Sequence, residues 1–258
     1  MASAVDILQI STLALVTLLG ALLQSAFGFG FAIFAVPIFL GVLGTHSAIQ
    51  VLVVLHVVLS AIVVPRVWQF VPLGLLRWLI GGSLLGFPIG LVLFLWVDIR
   101  TLKLAVGVAT IVFSLLLVKR EWSPVAGPQG DRAAALEFRG SSALAVGLLS
   151  GAMTAILVMP GPVAMLYLRA LGLEKQASRA ASLAFFAFCY VVATGLHATF
   201  AGMTGDSWRL AALLAPAVLA GSLAGNAAAR HLSEERFRRS VVVLLIVSGI
   251  YAVWTAVS

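Results

Sequence analysis

Two hydrophobic stretches of this 258-residue chain are interrupted by residues that end a helix, and each interruption has the makings of a binding site. The first reads Phe27-Gly28-Phe29-Gly30-Phe31 and the second reads Met159-Pro160-Gly161-Pro162. A helix that restarts after such a break presents unpaired backbone N–H groups and the positive end of its dipole. Two such helix starts inside a membrane favour a negatively charged ligand. The sequence therefore predicts an anion site built from the two breaks.

Proline and glycine at the second break have separate expected roles. Pro162 suits the first turn of a restarted helix, because its missing N–H would have no carbonyl partner there. Gly161 would let the backbone approach a ligand. The alternative is that these residues only kink continuous helices, which membrane proteins tolerate. The candidate substrate-binding residues come from the two breaks and from four further positions, which are Gln24, Val163, Arg179 and Tyr190. The full set is Gln24, Phe27, Gly28, Phe29, Gly30, Met159, Pro160, Gly161, Pro162, Val163, Arg179 and Tyr190.

Neutral polar side chains precede both breaks. Gln24 and Ser25 come just before the first, and Ser150 and Thr154 before the second. They would orient an anion or replace backbone hydrogen bonds lost at the break. Arg179, at the start of the hydrophobic stretch 180–203, would either extend to the membrane interface or donate a charge-assisted hydrogen bond to a sulfonate or carboxylate.

Ionisable side chains inside the hydrophobic stretches are few, and none is a carboxylate well inside a stretch. This argues against a cation site made from acidic residues and against a metal-dependent intramembrane enzyme. We therefore expect no enzymatic activity, metal or cofactor. His56 is the best candidate to carry a proton, although a lone membrane histidine more often serves packing. Tyr190, deeper along the helix that carries Arg179, would line the path or pack in the core.

Composition places the chain in a lipid bilayer. The chain is 62% hydrophobic and 10% charged, against roughly 25% charged residues in soluble domains. At about 20 apolar residues per crossing, it has room for roughly eight to ten helical elements. The net charge of +7 then marks membrane topology rather than nucleic-acid binding. A single cysteine, Cys189, excludes an intrachain disulfide.

Hydropathy divides the chain into eight apolar blocks, of which two exceed one crossing and contain the breaks. If each long block is a helix followed by a shorter one running back, ten elements result. The first block, which has no basic residue before it, is expected to be retained rather than cleaved as a leader. The blocks are 5–43, 47–64, 72–97, 101–118, 141–171, 180–203, 209–229 and 240–257.

The basic residues favour ten elements over eight. Eight single crossings divide Lys and Arg almost evenly between the two sides, whereas ten elements leave only Arg100, Lys103 and Arg209 opposite all the others. Because Lys and Arg accumulate in cytoplasmic loops, we expect five elements on each side of a cytoplasmic linker and both termini outside the cell. The predicted parts are a first transmembrane repeat at 1–118, the linker at 119–140 and a second repeat at 141–258.

Weak internal similarity suggests that the halves are repeats. Gly82-Ser83-Leu84-Leu85-Gly86 recurs as Gly221-Ser222-Leu223-Ala224-Gly225. An odd number of elements in each half makes the two repeats inverted relative to each other. The same glycines, with Gly90, lie on single helix faces and predict close helix packing. The expected fold is therefore an all-α integral membrane protein of two inverted repeats with re-entrant helices at the breaks.

At the breaks the sequence resembles the sulfite and organosulfonate exporters, the TauE/SafE-like family or toluene sulfonate uptake permeases. The resemblance covers essentially the whole chain. In that family the first motif often continues as a run of glycines, whereas Phe31 and Ala32 follow here, and many members have more glycines at the second. The motifs that carry the resemblance are Gly28-Phe29-Gly30 with Ala35-Val36-Pro37, and Met159-Pro160-Gly161-Pro162 with Tyr167-Leu168 and Arg179-Ala180.

The resemblance implies a multi-pass protein of the bacterial inner membrane that carries small sulfur-containing anions such as sulfite, sulfoacetate, thiosulfate or taurine. We expect a secondary transporter that binds its anion near mid-membrane between the helix starts and works by alternating access. Proton coupling through His56 is a further hypothesis. A passive anion channel and a noncatalytic membrane subunit of a larger complex are the alternatives, and the sequence leaves the oligomeric state open.

Overall fold

The computed structural model describes residues 6–122, 138–231 and 246–256, and within these ranges the chain is helical without strands. Five α-helices precede the undescribed residues 123–137, which make up most of the predicted linker, and five follow them. A short 3-10 turn, Trp68–Phe70, ends the third helix. The helices are α1 Ile7–Phe27, α2 Phe31–Leu43, α3 Ser47–Val67, α4 Leu73–Trp96, α5 Ile99–Trp122, α6 Gly140–Leu157, α7 Gly161–Ala170, α8 Lys175–Phe200, α9 Gly205–His231 and α10 Ile246–Ala256.

Seven of these helices are long and apolar enough to cross a membrane: α1, α3, α4, α5, α6, α8 and α9. The helices α2, α7 and α10 are shorter. Seven candidate spans in a chain of this composition make it a multi-pass membrane protein, as the sequence predicts. The expectation of an all-helical fold with ten helical elements is confirmed over the described residues.

Polar residues start two of the spans. Asp6 and Gln9 form a capping box at the start of α1. Before α5, the Asp98 carboxylate accepts hydrogen bonds from the Thr101 hydroxyl at 2.6 Å and from the Thr101 backbone N–H at 2.9 Å. These two bonds hold the pKa of the Asp98 carboxyl below its usual value. Asp6 and Asp98 thus supply acceptors to backbone N–H groups at the helix starts that would otherwise have none.

Helices α4 and α6 lie in backbone contact, because glycines remove the side chains between them. A Cβ built on Gly82 would lie 2.0 Å from the Leu144 carbonyl oxygen, and one on Gly86 would lie 2.0 Å from that of Leu148. The contacts advance together along both helices, so α4 and α6 run parallel. The predicted packing role of this glycine face is confirmed.

Helices α1 and α9 make the same kind of contact. A Cβ on Gly221 would lie 2.1 Å from the Leu18 carbonyl oxygen, and one on Gly225 would lie 2.3 Å from that of Leu22. These two helices are also parallel. In both pairs, a helix from the first half of the chain lies against a helix from the second half.

Helices α3 and α8 form the centre of the molecule, where the ring of His56 in α3 lies 4.2 Å from that of Tyr190 in α8. Both rings are buried. The first helix start, at Phe31, reaches this centre, since its ring stacks on His56 at 4.3 Å. The two central helices are therefore the elements against which the candidate site residues are held.

Candidate functional site

The first break is formed by two glycines in left-handed backbone conformation. Gly28 has φ 86° and Gly30 has φ 117°, a region that residues with a Cβ rarely adopt. Gly28 ends α1 by donating its N–H to the Gln24 carbonyl at 2.8 Å, and α2 begins at Phe31. The alternation of glycine and phenylalanine is thus explained by backbone geometry.

The second break has a different construction. Helix α6 ends at Leu157 and is followed by Val158, a buried β-branched residue with φ 59°. Its N–H bonds to the Thr154 carbonyl at 2.9 Å, and the next N–H, of Met159, bonds to that of Met153 at 3.3 Å. Helix α7 then begins at Gly161 with Pro162 in its first turn. A valine in this conformation is an outlier and marks local strain.

At the first break, Arg179 of α8 joins three helices. Its guanidinium Nη2 donates to the Ser25 carbonyl in the last turn of α1 and lies 3.4 Å from the Asn226 side-chain oxygen of α9. The Ser182 hydroxyl, one turn further along α8, donates to the Arg179 carbonyl at 2.9 Å and lies 3.4 Å from the Gly28 carbonyl. The end of α1 is therefore fixed to α8 and α9 by polar groups.

Several polar atoms in this region are buried and have no hydrogen-bond partner among the residues that the structure describes. They are the Ser25 hydroxyl, the Arg179 Nε and the Asn226 Nδ2. Each can donate a hydrogen bond. Among the described residues, Arg179 forms no ion pair, and the described ion pair joins exposed Arg209 and Asp206 elsewhere. The region thus combines a partly buried positive charge with unused donors.

His56 lies in the centre between two aromatic rings, Phe31 at 4.3 Å and Tyr190 at 4.2 Å. Its Nδ1 is 2.7 Å from the Leu52 carbonyl, so this nitrogen carries a proton that it donates. The other ring nitrogen, Nε2, is buried and has no partner among the described residues. It can accept a proton or a hydrogen bond, and it lies beside the first residue of α2.

A family model described as sulfite exporter TauE/SafE matches residues 13–252, which is most of the chain. The chain belongs to the TauE/SafE sulfite exporter family. A search of curated proteins and a search of solved structures each gave no match. The family resemblance seen in the sequence is therefore confirmed, and the residues around both breaks fall inside the matched range.

The TauE/SafE chain brings some of its candidate residues together and separates others. Gly28 meets Arg179, since a Cβ built on the glycine would lie 3.0 Å from the arginine Cγ. A Cβ on Gly161 at the second break would instead lie 3.6 Å from the ring of Phe186, two turns further along α8. The two breaks thus contact different turns of α8.

The remaining candidates are mostly buried. Gln24 is 2% exposed and its amide makes no hydrogen bond with the described residues. Phe29 is half-buried, with its ring 6.3 Å from that of Phe113 in α5. Phe27 and Val163 are also half-buried. The three other residues of the second break, Met159, Pro160 and Pro162, are buried.

Sequence reasoning did not single out Ser182 and Asn226. Ser182 follows Arg179 by three residues, a spacing that places both on one helix face. Asn226 is an amide inside the hydrophobic block 209–229 and directly follows the repeated glycine motif. The rarity of polar side chains inside such blocks was the signal that could have identified both.

Among the described residues, no group of three or more His, Cys, Asp or Glu could hold a metal ion.

Proposed function

We propose that the protein is a secondary transporter of small sulfur-containing anions. Its substrates would be organosulfonates such as sulfoacetate or taurine, or inorganic oxyanions such as sulfite or thiosulfate. The observation that carries this proposal is the sulfite exporter family match over residues 13–252. The broken helix pairs support it, because membrane transporters bind ions at helix starts of this kind. The membrane would be the bacterial inner membrane.

We propose further that the two halves are inverted repeats. The exchange of packing partners supports this: α1 lies on α9 and α6 lies on α4, each pair in parallel glycine contact. The helices α1 and α6 open their halves, and α4 and α9 are the fourth helices. A twofold axis that exchanges the halves would convert one pair into the other.

The direction of α2 supports a re-entrant first break. It can be derived from the parallel α1–α9 contact together with two hydrogen bonds at the start of α3. At the start of α3, Gln50 donates to the Ala201 carbonyl at 2.9 Å and accepts from the Ser207 hydroxyl at 3.2 Å. The helix α3 therefore begins on the side where α9 begins, which is also where parallel α1 begins. The chain leaves that side in α1 and must return to it in α2.

The substrate would bind near the starts of α2 and α7, with the repeats moving around it to expose it to each side in turn. Backbone N–H groups near Gly28, Phe29, Gly30, Gly161 and Val163 would contribute, with Gln24 and Arg179 as side-chain ligands.

The unpartnered Nε2 of His56 supports a role in proton coupling. Tyr190 is the titratable group that faces this imidazole among the described contacts. The excess of basic residues on one side supports a cytoplasmic linker and external termini.

Currents on solid-supported membranes test the proposal with purified protein in liposomes. Sulfite, sulfoacetate, thiosulfate, taurine and chloride are each applied with and without a pH gradient. We expect saturable currents for sulfur anions and at least a tenfold loss in Gly161→Leu, because the leucine would collide with Phe186. Gly195→Leu is the matched control, since Gly195 is exposed on α8 with open space around it.

Each other outcome removes part of the proposal. Unsaturable currents for every anion would indicate a channel. Silence from folded wild-type protein would overturn the substrate class or indicate a missing partner subunit. Currents that do not respond to the pH gradient, or that keep their response in His56→Gln, would overturn proton coupling through His56.

A further inference from the structure

We propose that Ser25, Arg179 and Asn226 form a binding site for the sulfonate or sulfite group of the substrate, here named the oxyanion cluster. This inference rests on the proposed function and assigns its substrate to particular side chains. The site lies where α1 ends against α8 and α9. Its three donors are the Ser25 hydroxyl, the Arg179 Nε and the Asn226 Nδ2.

Unused hydrogen-bond capacity is the first observation behind the oxyanion cluster. Buried polar side-chain atoms nearly always have a partner, because burial without one is costly. Here three such atoms, on residues that meet at one place, lack a partner within the described part of the chain. Ser25 is fully buried, and the Asn226 oxygen is already engaged 3.4 Å from the arginine Nη2. The amide nitrogen is left for a ligand.

Charge is the second observation. Buried arginines are normally paired with a carboxylate. The guanidinium of Arg179 instead meets the Ser25 carbonyl and the Asn226 amide oxygen, and forms no ion pair with the described residues. The negative end of the α1 dipole offsets only part of its charge. An anion bound at Nε would neutralise the rest of the positive charge, and the planar guanidinium group is suited to binding oxyanions.

The close packing of Arg179 against Gly28 is the third observation. A Cβ on Gly28 would lie 3.0 Å from the Arg179 Cγ and 3.1 Å from the Ser182 hydroxyl oxygen. Glycine at this position therefore lets the arginine stem lie against the end of α1. The Ser182 hydroxyl donates to the Arg179 carbonyl at 2.9 Å within α8 and lies beside the same glycine.

The number of donors predicts a preference among anions. Sulfite and the sulfonate group each present three oxygens on sulfur, one for each unused donor. A carboxylate presents two oxygens, and chloride presents a single sphere of charge. We therefore expect sulfite and sulfoacetate to bind more tightly than acetate or chloride.

Binding to full-length protein in lipid nanodiscs tests the oxyanion cluster, using isothermal titration with sulfoacetate, sulfite, acetate and chloride. Ser25→Ala and Asn226→Ala should each weaken sulfoacetate binding about tenfold or more, the usual effect of losing a hydrogen bond to a charged group. Arg179→Lys keeps the positive charge but loses the planar set of donors, and should weaken sulfoacetate binding to a similar extent. Ser222→Ala is the control, since its hydroxyl is also buried and unpartnered but lies one turn away on α9.

The outcomes separate the cluster from the proposed function. Normal sulfoacetate binding by monodisperse Ser25→Ala and Asn226→Ala protein would overturn the oxyanion cluster, and transport of sulfur anions by the same variants would leave the proposed function standing. If the wild type neither binds nor transports any sulfur anion, both fail. Equal loss in Ser222→Ala would also overturn the cluster, because the effect would then follow helix packing rather than ligand contact.

Discussion

At the scale of single residues, the strain at Val158 is the feature with the clearest physical consequence. A left-handed conformation costs an L-residue roughly 1–2 kcal/mol, because its Cβ crowds the following carbonyl. Val158 bears this cost while fully buried. Such strain persists where the surrounding structure determines the backbone, often at sites that bind or move. Val158 directly follows α6 and lies three residues before the start of α7.

We expect the usual order of alanine and glycine to be reversed at this residue. Val158→Gly should be more stable than Val158→Ala by about 1 kcal/mol, because glycine adopts positive φ without strain. Within α6, Ala143→Gly should be destabilising by about 1 kcal/mol, as glycine normally is inside a helix. Thermal unfolding of the purified variants measures both differences. A Val158→Ala variant that is the more stable of the pair would exclude left-handed strain.

Glycine, proline, Ser25 and Arg179 could be singled out from the sequence as site candidates, whereas the conformation of Val158 and the contact of Asn226 could not be predicted. Gly28 and Gly30 interrupt a hydrophobic run, and the need for positive φ makes glycine there informative. Arg179 was identifiable as a charge directly before the apolar block 180–203. Val158 carried no signal, since valine is ordinary in a membrane helix, and its conformation depends on the chain around it. Asn226 could not be assigned to Arg179, because their approach depends on how α8 and α9 pack.

At the scale of helices, the glycine faces of α4 and α9 determine which helices can touch. Without side chains at Gly82 and Gly86, carbonyl oxygens of α6 come within 2.0 Å of where each Cβ would be. Dispersion contacts over such a face drive association in lipid, where the hydrophobic effect between helices is absent. The sequence predicted these faces but not their partners, because any small-residue face could have served. The partner in each case comes from the other half of the chain.

Adjacent glycines on α4 provide a matched pair of variants. Gly82→Ala would place its methyl group 2.0 Å from the Leu144 carbonyl oxygen, whereas the Cβ of Gly81→Ala would lie 3.5 Å from the Leu144 Cδ2. We expect Gly82→Ala to destabilise the protein by about 1–3 kcal/mol, the range for overpacking, because α4 and α6 must separate. Gly81→Ala should change stability by about 0.5 kcal/mol or less. Thermal unfolding in detergent compares them, and equal stability of the two variants would contradict the close contact.

At the scale of the whole molecule, composition already indicated a membrane protein, and the charge distribution predicts its orientation. The alternation of long helices places the turn at Trp68–Phe70 and the start of α9 on opposite sides. Which side faces the cytoplasm depends on where Lys and Arg accumulate. The three-dimensional arrangement of the halves could not be predicted, because short matches such as Gly82–Gly86 and Gly221–Gly225 specify no axis.

Cysteine labelling tests this orientation with little background, since Cys189 is fully buried and is the single cysteine of the chain. Gln69 and Asp206 are both exposed, next to α4 and in the first turn of α9. In intact spheroplasts, a membrane-impermeant maleimide should label Asp206→Cys but should label Gln69→Cys only after lysis. Labelling of both in intact cells would contradict the alternation of helices, and the reverse pattern would contradict the charge-based orientation.

The exchange of partners between halves also has a consequence for how the protein is made. Among the described helices, α1 makes its parallel glycine contact with α9, and residues 28–204 are synthesised between them. At roughly 5–20 residues per second, a ribosome needs on the order of ten to forty seconds for that length. During this interval α1 is in the bilayer with the carbonyls of Leu18 and Leu22 facing lipid or other helices. The insertion of α1 therefore precedes its packing against α9 by most of the time that translation takes.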